Sequence, residues 1–211
     1  GGMRRLDDPN GVPVAMAAPQ PGERERACEI ITAPIETGHR NGLETLLAPA
    51  RTLGFLLPAE GAVHLHFDGA ALCDARVLQR LLTILETRRG ALREACRTNP
   101  DCRRLGPDSE KVLQTVFADD FATLSWPEAR ARLRDAGPTK FCDFNISNLV
   151  KRPPGKHTLE IRILGPSLDA GEIVRAAALF ESALDHARGD EPVDLWSPAG
   201  NTTRQASRAA P

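Results

Sequence analysis

Histidine and aspartate alternate with apolar residues in the segment AVHLHFDG, residues 62–69. Successive side chains of a β-strand point to opposite faces, so this pattern predicts a strand with one apolar and one polar face. The apolar face carries Val63, Leu65 and Phe67. The polar face carries His64, His66 and Asp68. A half-buried strand usually has Thr, Ser, Lys or Glu on its wet face, whereas these side chains are ligands for metals or phosphate.

A second alternating segment, HTLEIRIL, occupies residues 157–164. Here Glu160 and Arg162 share the polar face of a predicted strand. Two further segments carry polar groups in an apolar setting. Glu29 lies in CEIITAP, a short predicted strand stopped by a proline. TKFCDFNISNL, residues 139–149, is predicted to run from strand into loop, with Asp143 and Asn145 on one face and Lys140 close by.

Brought together, these side chains mix carboxylates, imidazoles and cationic groups. Oxygen-rich sites with an occasional histidine suit Mg²⁺ or Mn²⁺, and Arg and Lys suit phosphate. The residues concerned are Glu29, His64, His66, Glu160 and Arg162, with Lys140, Asp143 and Asn145 nearby. Positioning and charge neutralisation do most of the catalysis in phosphoryl transfer, and these are the parts such a site needs.

The elements that must position these residues follow from hydrophobic spacing and capping signals. Helical spacing predicts helices near residues 41–55, 73–97, 109–118, 127–135 and 169–187. Gly54 is the expected terminator of the first helix and Asp74 the expected cap of the second. Strands with a functional face and a packed face suit an antiparallel sheet that helices cover on one side. We therefore expect an α+β fold whose concave polar sheet face is the working surface.

Length and composition indicate one globular domain. The chain has 211 residues, of which 41% are hydrophobic, and 27 basic residues balance 28 acidic ones. A formal net charge of −1 gives no field that favours nucleic acid. We expect a flexible arm over residues 1–26, a domain over 27–188 and a disordered tail over 189–211.

The location of the protein is predicted from its cysteines and its apolar runs. Its five cysteines are scattered without a C-x-x-C pair, which favours a reducing compartment. No apolar run approaches the ~20 residues that span a bilayer, and the N-terminus lacks a signal-peptide core. These features predict a cytoplasmic protein without membrane association.

Five motifs, taken in order, resemble the amidoligases of the glutamine synthetase and γ-glutamyl-cysteine synthetase superfamily. They are CEIITAPI, AVHLHFDG, CRRLGP, TKFCDFNISNL and HTLEIRIL, and the resemblance covers about residues 27–186. It implies a fold like the glutamine synthetase catalytic domain and an ATP-dependent carboxylate-amine ligase. In that reaction ATP phosphorylates a small-molecule or peptide carboxylate, and an amine displaces the phosphate to give an amide.

The resemblance also implies roles for individual residues. His64 matches a metal ligand, and Glu160 matches the metal-binding carboxylate of the E-x-R strand. Glu29 corresponds to a carboxylate that binds a second metal, Mg²⁺ or Mn²⁺. His66 matches the histidine near the nucleotide phosphates, and Arg162 the arginine that meets the transferred phosphate or the substrate carboxylate. Arg103 or Arg104 resembles a phosphate-contacting arginine, and Lys140 and Asn145 complete the expected cofactor-binding set.

One strand of the family pattern has no convincing copy. The family begins with Gly-x-Glu-x-Glu, and Glu23-Arg24-Glu25 has that spacing without the apolar setting. We therefore expect the metal site to be depleted, an apolar sheet edge to be exposed, and a longer form with that strand to be more active. A catalytically inactive binding module is the corresponding alternative.

Other interpretations of the same residues stay open. The pattern H-x-H-x-D also resembles the metal motif of zinc hydrolases, which need further histidines downstream, and His157 and His186 are the ones available. Glu160 and Arg162 also suit a cross-strand ion pair. Asp143 and Asn145 suit turn and hydrogen-bonding positions.

Overall fold

The fold is mixed α+β, with two three-stranded antiparallel sheets and seven α-helices within the part of the chain that the structure describes. That part, in a computed structural model, comprises residues 4–8, 10–19, 28–102, 104–153 and 156–198. Contacts divide the chain into two compact units. The first contains residues 1–58 and 168–170, and the second contains residues 59–167 and 171–211.

The first unit contains a sheet in the order β1-β2-β3. Its strands are β1 (Arg4–Asp7), β2 (Pro13–Pro19) and β3 (Cys28–Thr32). Between β1 and β2, the Asp8 carboxylate accepts hydrogen bonds from the backbone N–H groups of Asn10 and Val12, a turn typical of aspartate.

Two expectations about the N-terminal segment are therefore wrong. Described residues within 1–26 form strands rather than a loose arm. Strand β2 pairs with the strand that carries Glu29, where an exposed sheet edge was expected. The prolines stand at the first and last positions of β2, where a missing N–H is best tolerated. The segment Glu23-Arg24-Glu25 lies outside the described residues.

Helix α1 (His39–Thr52) agrees with the first predicted helix. It buries Leu47 and Ala50, and Pro49 lies inside its last turn. Gly54 follows with a φ of 73°, the left-handed conformation that commonly ends helices. The predicted terminator is thus confirmed.

The second unit contains the sheet that carries most of the predicted site. Its order is β4-β6-β5, with β4 (Val63–Asp68), β5 (Phe144–Asn145) and β6 (Thr158–Leu164). Strands β4 and β6 confirm the two alternating segments. The strand predicted from residue 139 is short, because only two residues pair with β6 before helix α6 (Ser147–Lys151) begins.

The remaining helices begin and end at clear local signals. The long helix predicted over residues 73–97 is two helices, α2 (Ala75–Thr87) and α3 (Arg89–Ala95). Asp74 caps α2 by accepting from the Val77 N–H. The others are α4 (Glu110–Val116), α5 (Trp126–Ala136) and α7 (Ala170–Arg188). A capping box of Ser125 and Glu128 opens α5.

The core of the second unit lies around β6 and α2. Six of the seven β6 residues are buried, so that both faces of the strand are covered. The largest fully buried side chains include Leu78, Leu81, Leu85, Phe121, Leu133 and Phe180. A strand buried on both faces leaves its two charged side chains, Glu160 and Arg162, dependent on protein partners.

The segment after α7 was predicted to be disordered, and its described part is ordered. A 3₁₀ turn spans Val193–Leu195, and Trp196 is 3% exposed. Residues 199–211 lie outside the described residues. In the described ranges, each helix is too short or too polar to cross a bilayer.

Candidate functional site

Strand pairing places three polar residues in one row across the second sheet. Glu160 of β6 pairs with His66 of β4 on one side and with Asn145 of β5 on the other. Directly opposed residues of antiparallel strands share a face. Asn145 and Glu160 are buried, whereas His66 is exposed. The row is therefore open to solvent at the β4 end.

Glu160 is the centre of this row. Its Oε1 lies 2.7 Å from Arg162 Nη1, 3.2 Å from His64 Nδ1 and 4.0 Å from His66 Nε2. Its Oε2 accepts a hydrogen bond from Asn145 Nδ2 at 2.5 Å. Burial alone would raise the pKa of Glu160, but hydrogen bonds from His64 and Asn145 and the charge of Arg162 lower that pKa to about 2. Glu160 is thus a carboxylate at neutral pH.

His66 is the most accessible member of the row. Its Nδ1 lies 3.0 Å from Thr158 Oγ1. Burial lowers the pKa of His66, the charge of Glu160 opposes that change, and the neighbouring basic side chains His64, Lys156 and Arg162 lower the pKa further. His66 is therefore a neutral imidazole at pH 7, which suits a ligand or a proton acceptor.

Arg162 is buried with unused hydrogen-bonding capacity. It is 9% exposed, and Nη1 donates to Glu160. Its Nε is buried and has no partner among the described residues. Buried guanidinium nitrogens are rarely left without a partner. Arg162 Nε is therefore a donor without an acceptor in the described part of the chain.

Asn145 was predicted to contact the cofactor, and in the structure both ends of its amide have protein partners. Oδ1 accepts from the Ser147 N–H at 2.8 Å and from Ser147 Oγ at 2.5 Å, while Nδ2 donates to Glu160. The amide thus orients the Glu160 carboxylate. Ser147 was missed in the sequence, although the Asn-x-Ser spacing is a known turn signal.

The contacts of Asp143 are with groups that hold the fold together. It is fully buried, and Arg93 Nη1 lies 3.0 Å from both of its carboxylate oxygens. Its Oδ1 also accepts from the Gly106 N–H at 2.8 Å, and its backbone oxygen accepts from the Arg162 N–H. Asp143 therefore ties β5 to β6 and to the 106 loop. Arg93 was missed because helical spacing gives no sign of a partner 50 residues away.

Lys140 and Arg104 are both exposed and lie beside one aromatic ring. The Arg104 guanidinium carbon is 5.5 Å and Lys140 Nζ is 5.6 Å from the centre of Phe141. Within the described residues, no hydrogen bond or ion pair joins either cation to Glu160 or its partners. Lys140 and Arg104 thus lie beside Phe141, and no described contact links them to the Glu160 row. Arg103 lies outside the described residues.

Glu29 lies in a different sheet from the other predicted ligands. It is an exposed residue of β3, paired with Ala18 of β2 in the first unit. The expectation that the Glu29 strand joins the sheet of His64 and Glu160 is therefore wrong. The pattern that predicts a strand does not identify its neighbours, so the sequence does not show that β3 belongs to a different sheet from β4 and β6.

The described residues do not by themselves fit a divalent metal ion. Among them, no three His, Cys, Asp or Glu side chains are arranged to hold one. Glu160 is the carboxylate that meets both His64 and His66, and the same oxygen already faces the Arg162 guanidinium. A cation at this oxygen would be repelled by that neighbouring charge.

The further histidines that a zinc hydrolase would need have other partners. His157 Nε2 lies 3.4 Å from Cys73 Sγ, and His186 Nε2 lies 2.9 Å from the Pro192 carbonyl oxygen. In the described part of the chain neither contact links these imidazoles to His64 and His66. The geometry therefore does not favour the zinc interpretation.

Comparison of the chain with protein-family models, with curated proteins and with solved structures gave no match. The function is therefore argued from the motifs and from the geometry of the Glu160 row.

Proposed function

We propose that this protein is an ATP-dependent carboxylate-amine ligase of the amidoligase kind. It would phosphorylate a small-molecule or peptide carboxylate and transfer the acyl group to an amine, forming an amide bond. The resemblance of the five motifs supplies the reaction class. The structure supports the proposal because the H-x-H and E-x-R motifs meet on one sheet face, with Glu160 between His64 and Arg162.

The observation that carries the proposal is the state of Arg162. Its guanidinium is held by Glu160 through one nitrogen, and its buried Nε has no partner in the described residues. Guanidinium groups bind carboxylates and phosphates through two nitrogens at once. Arg162 would therefore bind the carboxylate of the acid substrate or the phosphoryl group that it receives.

The two histidines beside Glu160 are more exposed than Arg162. His64 is half-buried and His66 exposed, so an anion at Arg162 would enter past their rings. Charge that develops on a transferred phosphoryl group is best stabilised by donors that are already in place. Glu160 and Asn145 would act indirectly, by holding His64 and Arg162 in position.

Mg²⁺ or Mn²⁺ enters the proposal as the ion that accompanies ATP. The described side chains form no group of three ligands for it. We place the activity in the cytoplasm, because all five cysteines are free thiols, as in a reducing compartment.

The test is nucleotide turnover by the full chain. We expect ATP binding that requires Mg²⁺ or Mn²⁺ in calorimetry, and release of ADP and phosphate when panels of carboxylates and amines are supplied together. Arg162→Gln is expected to lower the turnover by roughly 100-fold, the scale of losing one charge-stabilising donor. Arg132→Gln, which removes an exposed arginine paired with Asp120, is the matched control and should keep full turnover.

Folding and function must be separated in this test. Because Arg162→Gln leaves Glu160 with fewer partners, the thermal unfolding of this variant is measured in parallel. His66→Gln is a second variant, at an exposed position. Zinc-dependent hydrolysis of an amide or ester without a nucleotide requirement would contradict the proposal.

A second candidate is a binding module without catalysis. It is favoured by the observation that Glu160 is the one carboxylate in the row of described residues. Such a module would bind a carboxylate ligand or ATP through Arg162 without releasing ADP. Binding that Arg162→Gln abolishes, in a protein without turnover under any substrate pair, would distinguish it from the ligase.

A further inference from the structure

Cys73, His157 and Arg152 form a cluster separate from the Glu160 row. Cys73 Sγ lies 3.4 Å from His157 Nε2, and Arg152 Nη2 donates to the same sulfur at 3.4 Å. The thiol also lies 3.5 Å from the Gly69 carbonyl oxygen. Cys73 is half-buried. A thiol between an imidazole and a guanidinium is an arrangement that can do chemistry.

Two nitrogen groups lie beside the Cys73 sulfur. An imidazole in contact with a cysteine can act as the base for its reaction, and a guanidinium carries a permanent positive charge. The nearest carboxylate in sequence, Asp74, accepts from the Val77 N–H as the cap of α2. Arg152 reaches the sulfur from the end of α6, where its φ of 49° is a strained value for a residue other than glycine.

The other cysteines have different surroundings. Burial raises the pKa of Cys96 to about 12. Burial, with the charge of Asp108, raises the pKa of Cys142 to about 12. Both are therefore unreactive thiols. Cys28 is exposed and Cys102 is half-buried like Cys73, which makes them natural references for accessibility without the cluster.

The cluster is joined to the strand ends that carry the Glu160 row. The His157 carbonyl oxygen accepts from the Gly69 N–H at 2.9 Å, at the end of β4. The next residue, Thr158, has its hydroxyl 3.0 Å from His66 Nδ1. An adduct on Cys73 that displaces His157 would thus act on the position of His66 through one intervening residue.

We propose that Cys73 is a reactive thiol and a modification site for hydroperoxides, with His157 and Arg152 as the groups that assist its reaction. The His157 imidazole takes the thiol proton. The thiolate attacks the terminal oxygen of the hydroperoxide, an S–O bond forms and the O–O bond breaks. The leaving alkoxide takes the proton from the imidazolium, so that sulfur is oxidised to sulfenic acid and the peroxide is reduced to an alcohol. This inference does not depend on the proposed function.

The experiment measures the modification rate of each cysteine in the folded full chain at pH 7. Limiting iodoacetamide, and in a second series hydrogen peroxide with dimedone as the trap, are followed by peptide mass spectrometry. We expect Cys73 to react at least ~10-fold faster than Cys28 and Cys102, as thiols beside cationic groups do. His157→Gln and Arg152→Gln should each slow Cys73 several-fold and leave the Cys28 rate unchanged.

Arg152 has an exposed side chain, so its variant tests the cluster even if His157→Gln impairs folding, which circular dichroism would show. Two results would overturn the proposal. One is a Cys73 rate no higher than that of Cys28 in the unmodified sequence. The other is a fast Cys73 whose rate neither variant of a folded protein reduces.

Discussion

Glu160 is a buried carboxylate whose charge is balanced within one sheet face. Arg162 lies two residues away on the same strand and shares its face, and the pair is closed by His64 and Asn145 from the neighbouring strands. Breaking a buried pair by removing one partner typically costs about 3–5 kcal/mol, because a charge is left without compensation. The same contacts that orient Arg162 for an anion therefore also stabilise the fold.

The first prediction concerns pH. In the folded protein the pKa of Glu160 is lowered from 4.5 to about 2, so the unfolded chain binds this proton first as pH falls. The stabilisation from Glu160 is therefore complete above about pH 4.5 and is lost as pH falls toward 2. We expect the difference in unfolding free energy between wild type and Glu160→Gln to be largest at neutral pH and to shrink across this window.

Urea denaturation of both proteins at a series of pH values between 2 and 7 measures this difference. Contributions of the other carboxylates cancel in it, because both proteins share them. A difference that stays constant down to pH 2 would show that Glu160 has an ordinary pKa in the fold.

At the scale of elements, the end of β4 is tightly packed around Gly69. Gly69 follows the strand and donates its N–H to the His157 carbonyl oxygen. A Cβ added at Gly69 would clash with Leu149 Cδ2 and lie 2.9 Å from the His157 oxygen. The second of these atoms belongs to the backbone and cannot rotate away. The turn from β4 into α2 therefore requires glycine for space.

The second prediction compares two Gly→Ala substitutions. Gly69→Ala should lower the unfolding free energy by about 1–3 kcal/mol through overpacking. Gly90→Ala is the matched control, because Gly90 lies in α3 with no atom within 4 Å of an added Cβ, and it should raise stability by up to about 1 kcal/mol. Chemical denaturation measures both values, and equal effects of the two substitutions would refute the packing argument.

At the scale of the whole chain, the segment after α7 is fastened to the core of the second unit. Arg80 donates to the carbonyl oxygens of Ala187, His186 and Glu191. Arg88 donates to the carbonyl oxygens of Asp194 and Trp196. Arg80 thus satisfies carbonyls at the end of α7, and both arginines bind backbone carbonyls of the segment that follows it. Trp196 is the apolar anchor of this segment.

The third prediction is a pair of adjacent substitutions. Trp196→Ala should cost about 3–5 kcal/mol, the usual loss for a buried aromatic, because Trp196 is 3% exposed. Leu195→Ala should change stability by less than about 0.5 kcal/mol, since Leu195 is 68% exposed. Thermal and urea unfolding give both values. A Trp196→Ala protein as stable as Leu195→Ala would mean that the segment adds nothing to the fold.

The sequence by itself determined the elements whose signals are local. The alternation in residues 62–69 and 157–164 predicted β4 and β6, and Asp74 and Gly54 marked helix ends, because a cap needs only the backbone of its own first or last turn. It also placed Glu160 and Arg162 on one face, since the two-residue period of a strand requires it.

Only the tertiary structure decided which strands are neighbours and which side chains meet. Glu29 belongs to another sheet, Ser147 orients Asn145, and Cys73 meets His157 across 84 residues of chain. The periodicity of a strand indicates which of its faces is buried, but it does not indicate which other strand pairs with it. Pairing is set by long-range burial and hydrogen bonding, which only the folded chain brings together.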